Sequence, residues 1–121
     1  MTAWTAQELA SIDDADEIRV AGRRKDGSLR SFRIIWHVVV DGALYVRSVN
    51  GPDAAWYVGA KRRMAGAIQW HDEQRNVAYV DDPSRNDAVD EAYRRKYGNG
   101  SPTRRLNQDP ARGTTLRIDP R

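Results

Sequence analysis

Two Asp-Gly pairs, each between runs of strand-forming residues, constrain the fold of this chain most strongly. Asp26-Gly27 and Asp41-Gly42 are typical of tight hairpin turns, in which the central residues take positive φ. They predict three antiparallel strands over about 17–24, 29–40 and 43–49. The middle run, SFRIIWHVVV, is apolar on both faces apart from Arg33 and His37, which predicts a central strand covered on both sides.

The rest of the 121 residues is predicted to form short helices and further strands within one domain, 1–121. Thr5 and Glu8 have the spacing of a capping box, which predicts a helix within 1–16. A helix is predicted over about 52–62, and barrel strands account for the remainder of 17–82. A last clear helix is expected over 84–98, and 99–121 is predicted as a loop with TTLRID as a candidate closing strand. Five or six short antiparallel strands favour a small barrel over an open sheet, because closure removes exposed edges.

Composition excludes several classes of site. The absence of cysteine excludes thiol catalysis and cysteine-bound metals. A net charge of +3 from 20 basic and 17 acidic residues gives little support for nucleic-acid binding. There is no apolar run of the roughly 20 residues needed to cross a bilayer, and the N-terminus is acidic, so a cytoplasmic protein without membrane contact is expected.

The two histidines are not predicted to bind a metal. His37 has apolar neighbours on a strand, and a hydrogen-bonded core histidine is expected. His71 stands beside Asp72 and Glu73 at a predicted turn, where a solvated hairpin is the simpler interpretation. The sequence also contains no GxGxxG, GxxxxGK[ST], HExxH or GxSxG motif. No residue is therefore assigned a catalytic role.

The segment 43–63 predicts a strand that runs directly into the N-terminus of a helix. Gly51 suits a helix cap and Pro52 the first helical position, where its missing N–H costs nothing. Free amides of that first turn, with Arg47, Ser48 and Asn50 nearby, could bind a phosphate or carboxylate. The alternative is an ordinary capped turn before the helix, in which Asp53 already satisfies the positive end of the helix dipole. The motif alone favours this alternative.

The segments GALYVRSVNGPDAAWYVGAKRR and DEAYRRKYG resemble a family of small bacterial proteins known as domain of unknown function 2255, over about 17–98. The order of elements is more distantly similar to the split barrel of the pyridoxamine-phosphate oxidase and deazaflavin-dependent nitroreductase superfamily. This resemblance implies a mainly β fold with short helices, a six-stranded antiparallel split barrel that forms a homodimer. It also implies an FMN or deazaflavin cofactor. The residues implied to bind it are Arg47, Ser48, Asn50, Gly51 and Trp56, supported by Lys61 or Arg62.

One departure from that superfamily keeps other functions open. The deazaflavin enzymes have a longer Gly-Gly and His-Pro loop before the tryptophan, whereas this chain has only the short segment 50–55. The leading hypothesis is a flavin- or deazaflavin-binding oxidoreductase of unknown substrate. The alternatives are a cofactor-free barrel that binds or transforms a small metabolite, and a small barrel that binds single-stranded nucleic acid, which the charge balance disfavours. Trp36, Trp56 and Trp70 fit the core or a dimer interface as well as a flavin-stacking role.

Overall fold

The computed structural model describes residues 3–121, which form seven antiparallel strands and four α-helices. The strands are β1 (Ile18–Gly22), β2 (Arg33–Ile35), β3 (His37–Val40), β4 (Ala43–Val46), β5 (Ala65–Trp70), β6 (Glu73–Asp81) and β7 (Leu116–Pro120). The helices are α1 (Ala6–Asp14), α2 (Ala55–Arg63), α3 (Asn86–Tyr97) and α4 (Ser101–Leu106). None of the helices in this range is long and apolar enough to cross a membrane. The single-domain organisation of 1–121, whose first two residues lie outside the described range, stays a prediction.

The strands form one sheet in the order β2-β1-β5-β6-β7-β4-β3. The two strands at the ends of this order, β2 and β3, follow each other in the chain and are separated only by Trp36. The sheet therefore curls until its ends meet at Trp36, which makes it a barrel split at that residue. The predicted antiparallel split barrel is confirmed, with seven strands instead of six.

The additional strand arises because the predicted middle strand, 29–40, divides at Trp36. The Trp36 carbonyl accepts a hydrogen bond from the Tyr93 hydroxyl at 3.2 Å, and the Trp36 indole stacks on Tyr97 with ring centroids 4.1 Å apart. Contacts with α3 thus replace strand pairing at this position. The prediction that this run would be central in the sheet was wrong, since β2 and β3 occupy the two ends of the strand order.

The local turn and cap signals agree with the structure. Asp41 and Gly42 have φ of 48° and 81° between β3 and β4, as the Asp-Gly signal predicts. Thr5 and Glu8 form the capping box of α1. The predicted closing strand is β7, which lies between β6 and β4. The loop prediction for 99–121 was wrong in part, because Ser101–Leu106 forms α4, which Pro102 in its first turn and the buried Thr103 and Leu106 support.

The barrel interior is filled by buried side chains from β1, β4, β5, β6 and β7, with Ile35 of β2, Val39 of β3 and the helices α1 and α2 packed against it. Two close approaches depend on small residues. A Cβ on Gly66 would lie 1.8 Å from the Ala21 carbonyl oxygen, and a Cβ on Gly22 would lie 2.6 Å from the Gly59 carbonyl oxygen. The Tyr79 hydroxyl donates to the Ala21 carbonyl at 2.8 Å inside the barrel.

His37 joins β3 to α1 in the core, as the sequence predicts. It is fully buried, and its Nε2 lies 2.6 Å from the Ile12 carbonyl oxygen. Because a carbonyl can only accept, the ring donates this hydrogen bond from Nε2. Burial, with the Lys96 ammonium 3.1 Å from Nε2, lowers the pKa of His37 to about 4.

Candidate functional site

A large cavity lies where β2 and β3 separate, beside the first turn of α2. Its volume is about 570 Å³, within the range typical of small-molecule sites. It is lined by 33–36 at the split, by residues of 47–50, by the first turn of α2, by Pro102 and Leu106 of α4, and by Glu17. The split in the barrel therefore opens onto a site shared by five segments of chain.

The walls of this cavity are apolar and partly exposed. Ile34 is 54% exposed and Val49 is 36% exposed, and both line the cavity. Trp36 and Trp56 also line it. The Trp36 ring is held by its stacking on Tyr97, with an interplanar angle of 2°. A cavity with two indole rings and aliphatic neighbours suits a planar aromatic ligand.

The first turn of α2 contributes free backbone donors to the cavity. The structure corrects the predicted start of this helix, which begins at Ala55 and not at Pro52. Gly51 has φ of 84° and its N–H donates to the Ser48 carbonyl at 2.9 Å, so 48–51 forms a separate turn before the helix. The N-cap is Ala54, which has no side chain that can cap the first amides. Asp53 does not cap the helix either, so the positive end of its dipole remains available to an anion.

Arg47 lies beneath the cavity and is 1% exposed. Its guanidinium donates to Asp90 Oδ1 at 2.6 Å, to Asn107 Oδ1 at 2.9 Å and to Thr115 Oγ1 at 2.9 Å. Longer hydrogen bonds reach the carbonyl oxygens of Leu106 and Asn86, both at 3.2 Å. These contacts occupy the guanidinium with acceptors from the chain itself. The Arg47 guanidinium therefore binds acceptors within the chain, whereas the sequence suggested that it would bind a phosphate.

The Arg47 network connects strands to helices at the back of the cavity. Burial lowers the pKa of Arg47, and the hydrogen bond and charge of Asp90 oppose that effect. Asp90 also pairs with Arg112, with Arg112 Nε 3.0 Å from Asp90 Oδ2. The network therefore holds β4, α3, the end of α4 and the start of β7 together.

Ser48 and Gly51 are enclosed by the protein. The Ser48 hydroxyl donates to the Gly51 carbonyl at 2.6 Å, and the Ser48 N–H donates to Thr114 Oγ1 at 2.8 Å. A Cβ on Gly51 would lie 3.0 Å from Pro110 Cγ. Pro110 and Thr114 therefore fill the corner that the sequence assigned to an anion.

The remaining predicted site residues separate into two groups. Asn50 and Trp56 line the cavity, whereas Lys61 and Arg62 lie at the far end of α2 beside a different, shallow depression. Lys61 Nζ pairs with Asp81 at 2.7 Å. Of the seven predicted residues, the structure brings Arg47, Asn50 and Trp56 together around the large cavity.

Sequence reasoning missed three charged residues at this site. Glu17 and Arg33 line the cavity, and Arg105 on α4 donates to Asn50 Oδ1 at 3.0 Å. The signal for Arg33 was present, because it interrupts an otherwise apolar strand. Arg105 had no such signal, because its segment was interpreted as a loop.

The family model described as "Uncharacterized protein conserved in bacteria (DUF2255)" matches residues 8–118. The chain belongs to this family. No protein with a curated description is detectably similar to it in sequence.

Solved structures share the fold at low sequence identity. An F420 reductase has a TM-score of 0.60 at 14% identity, over 93% of this chain and 91% of the other. A candidate pyridoxamine 5'-phosphate oxidase from Listeria innocua has a TM-score of 0.60 at 15% identity, over 95% and 90%. A protein described as a domain-swapped dimer has a TM-score of 0.56 at 14% identity, over 97% and 87%. At these identities the likeness shows the fold alone, a split barrel like that of pyridoxamine-phosphate oxidases.

Proposed function

We propose that the cavity at the barrel split binds a flavin or deazaflavin, and that the protein is an oxidoreductase whose substrate is unknown. The observation that carries the proposal is a cavity of about 570 Å³ with two tryptophans on its walls, open to an uncapped helix start. The similarity of the fold to an F420 reductase and to a candidate pyridoxamine 5'-phosphate oxidase supports it.

The residues of the cavity fit such a cofactor. Trp36 and Trp56 would flank the ring, and Ile34 and Val49 would cover its apolar edge. The amides of the first turn of α2 would bind an anionic group, because neither Ala54 nor a nearby carboxylate caps them. The cofactor, when bound, supplies hydride transfer.

The chain's own contribution is position and electrostatics. The charged side chains that line the cavity are Glu17, Arg33 and the buried Arg47, and neither His37 nor His71 lines it. The site therefore has no imidazole that could act as a general base. The cavity residues would orient the ring and exclude water from one of its faces.

We also propose that two copies of the chain associate around this cavity. Ile34 and Val49 expose apolar surface at its mouth, and within residues 3–121 β2 pairs with β1 alone. The similarity to a domain-swapped dimer supports the proposal. A cytoplasmic location stays a prediction.

The test is a fluorescence titration of the purified protein with FMN and with a deazaflavin cofactor. Ala55→Asp places a carboxylate in the first turn of α2, where it favours the helix but repels an anionic ligand. We expect this variant to fold as stably as the parent and to bind FMN roughly ten-fold more weakly. Ala55→Asn, of nearly the same shape without the charge, is the matched control. Absence of quenching with both cofactors in the parent protein would contradict the proposal.

A second candidate function is a cofactor-free barrel that binds a small metabolite. The filled corner formed by Ser48, Gly51 and Pro110 favours it, because a phosphate cannot reach the strand end there. Under this candidate an apolar fluorescent probe would bind the cavity, whereas FMN and a deazaflavin would not displace it.

A further inference from the structure

Two exposed arginines at and beside the cavity have no carboxylate partner. Arg33 lines the cavity from β2, and Arg105 of α4 donates a 3.0 Å hydrogen bond to Oδ1 of Asn50, which lines the cavity. Among the ion pairs within 4.0 Å in residues 3–121, neither Arg33 nor Arg105 takes part. Arg112 and Arg117, by contrast, each pair with two carboxylates.

The buried Arg47 cannot bind an anion that enters the cavity. Every nitrogen of the Arg47 guanidinium donates to an acceptor of the chain, and its side chain has no exposed surface. An incoming phosphate would have to break the pair with Asp90 to reach it. The exposed guanidinium of Arg105 has a neutral partner and can add a phosphate at little cost.

We infer that Arg33 and Arg105 bind the phosphate of the ligand's side chain and make the site selective for phosphorylated flavins or deazaflavins over the bare ring compounds. This inference rests on the proposed function, in which the ring lies between the tryptophans. Asn50 is a positioning residue, because its Oδ1 accepts a hydrogen bond from the Arg105 guanidinium and Asn50 itself lines the cavity. Glu17, which lines the same cavity, opposes the binding of an anion.

The phosphate could belong to FMN or to the phosphodiester of a deazaflavin cofactor, since both present the same oxygens to an arginine. Each is therefore paired with its unphosphorylated form, riboflavin for FMN and the ring-ribityl precursor for the deazaflavin. The measured quantity is the ratio of the two affinities within each pair. The pair that shows the larger ratio identifies the source of the phosphate.

The variants are Arg33→Gln and Arg105→Gln, with Arg104→Gln as the matched control. Arg104 neighbours Arg105 on α4, but its guanidinium donates to the Asn99 carbonyl at 2.7 Å and does not contact Asn50. We expect each test variant to lower the affinity for the phosphorylated compound roughly ten-fold. The affinity for the unphosphorylated compound should be unchanged, and Arg104→Gln should change neither.

Three further measurements separate a binding role from a structural one. Arg105→Lys should restore part of the lost affinity, since lysine keeps the charge without the planar fork. Asn50→Asp should weaken FMN binding at least as much as Arg105→Gln, and Glu17→Gln should strengthen it. Added salt should weaken FMN binding and leave riboflavin binding unchanged.

The outcomes distinguish the two claims. Equal affinities for FMN and riboflavin, and for the deazaflavin pair, in the parent protein would overturn the inference while leaving the proposed function intact. So would an unchanged affinity ratio in Arg33→Gln and Arg105→Gln. Failure of all four compounds to bind would instead refute the proposed function, and the inference with it.

Discussion

Replacing Arg47 tests whether this residue holds the fold together or binds a ligand. Arg47→Met keeps most of the side chain's length but removes six hydrogen bonds, made to Thr115, Asp90, Leu106, Asn107 and Asn86. Summing these at about 1.5 to 3 kcal/mol each would rival the whole stability of a small domain, so the sum overstates the effect. Removing one partner of a buried ion pair costs about 3 to 5 kcal/mol.

The lower end of that range applies to Arg47→Met, because Asp90 keeps its second partner, Arg112, at 3.0 Å. A loss of about 3 kcal/mol in the free energy of unfolding corresponds to a fall of about 12 °C in Tm for a chain of this length. Circular dichroism measures both quantities, the free energy by urea unfolding and Tm by thermal unfolding. Arg104→Met, on the surface of α4, is the control and should change stability by less than about 0.5 kcal/mol. A loss below about 1 kcal/mol for Arg47→Met, together with lost FMN binding, would refute the structural role.

Three further predictions concern the core. Between pH 6.5 and about 4 the unfolded chain binds a proton at His37 that the folded chain does not. The free energy of unfolding should therefore fall as the pH is lowered through this window, by about 2 kcal/mol near pH 5. His37→Gln should remove that part of the pH dependence in unfolding curves. Gly66→Ala should cost more than about 3 kcal/mol, because its Cβ would lie 1.8 Å from the Ala21 carbonyl oxygen. Gly100→Ala meets nothing closer than 3.7 Å and, at the N-cap of α4, should cost less than about 1 kcal/mol by thermal unfolding. Tyr79→Phe should cost about 1 to 2 kcal/mol by urea unfolding, because it leaves the Ala21 carbonyl with one donor fewer inside the barrel, and a cost near zero would contradict this account.

Features encoded over a few residues could be predicted from the sequence. The Asp41-Gly42 turn and the Thr5 capping box depend on residues within four positions of one another, and both agree with the structure. The division of the middle strand at Trp36 could not be predicted, because it depends on Tyr93, 57 positions away. An apolar run of strand formers looks the same whether it is one strand or two.

The site shows the same limit. Of the site residues that the sequence suggested, Asn50 and Trp56 line the cavity, and the helix predicted from Pro52 begins close by, at Ala55. The shift of that start to Ala55 reflects a turn closed at Gly51, over which Pro110 packs. The partners of Arg47 are 39 to 68 positions away in the chain, so its burial could not be inferred from its neighbours.

The most direct test of the central claim is an amide and indole chemical-shift map of the protein during titration with FMN. The account predicts shifts concentrated at the Trp36 and Trp56 indoles and at the amides of Ala55 and Trp56, with small changes near Lys61. Because these groups line one cavity, they should titrate with a single dissociation constant. Shifts centred on the far end of α2, or no shifts at saturating FMN, would contradict the claim that the barrel split is the cofactor site.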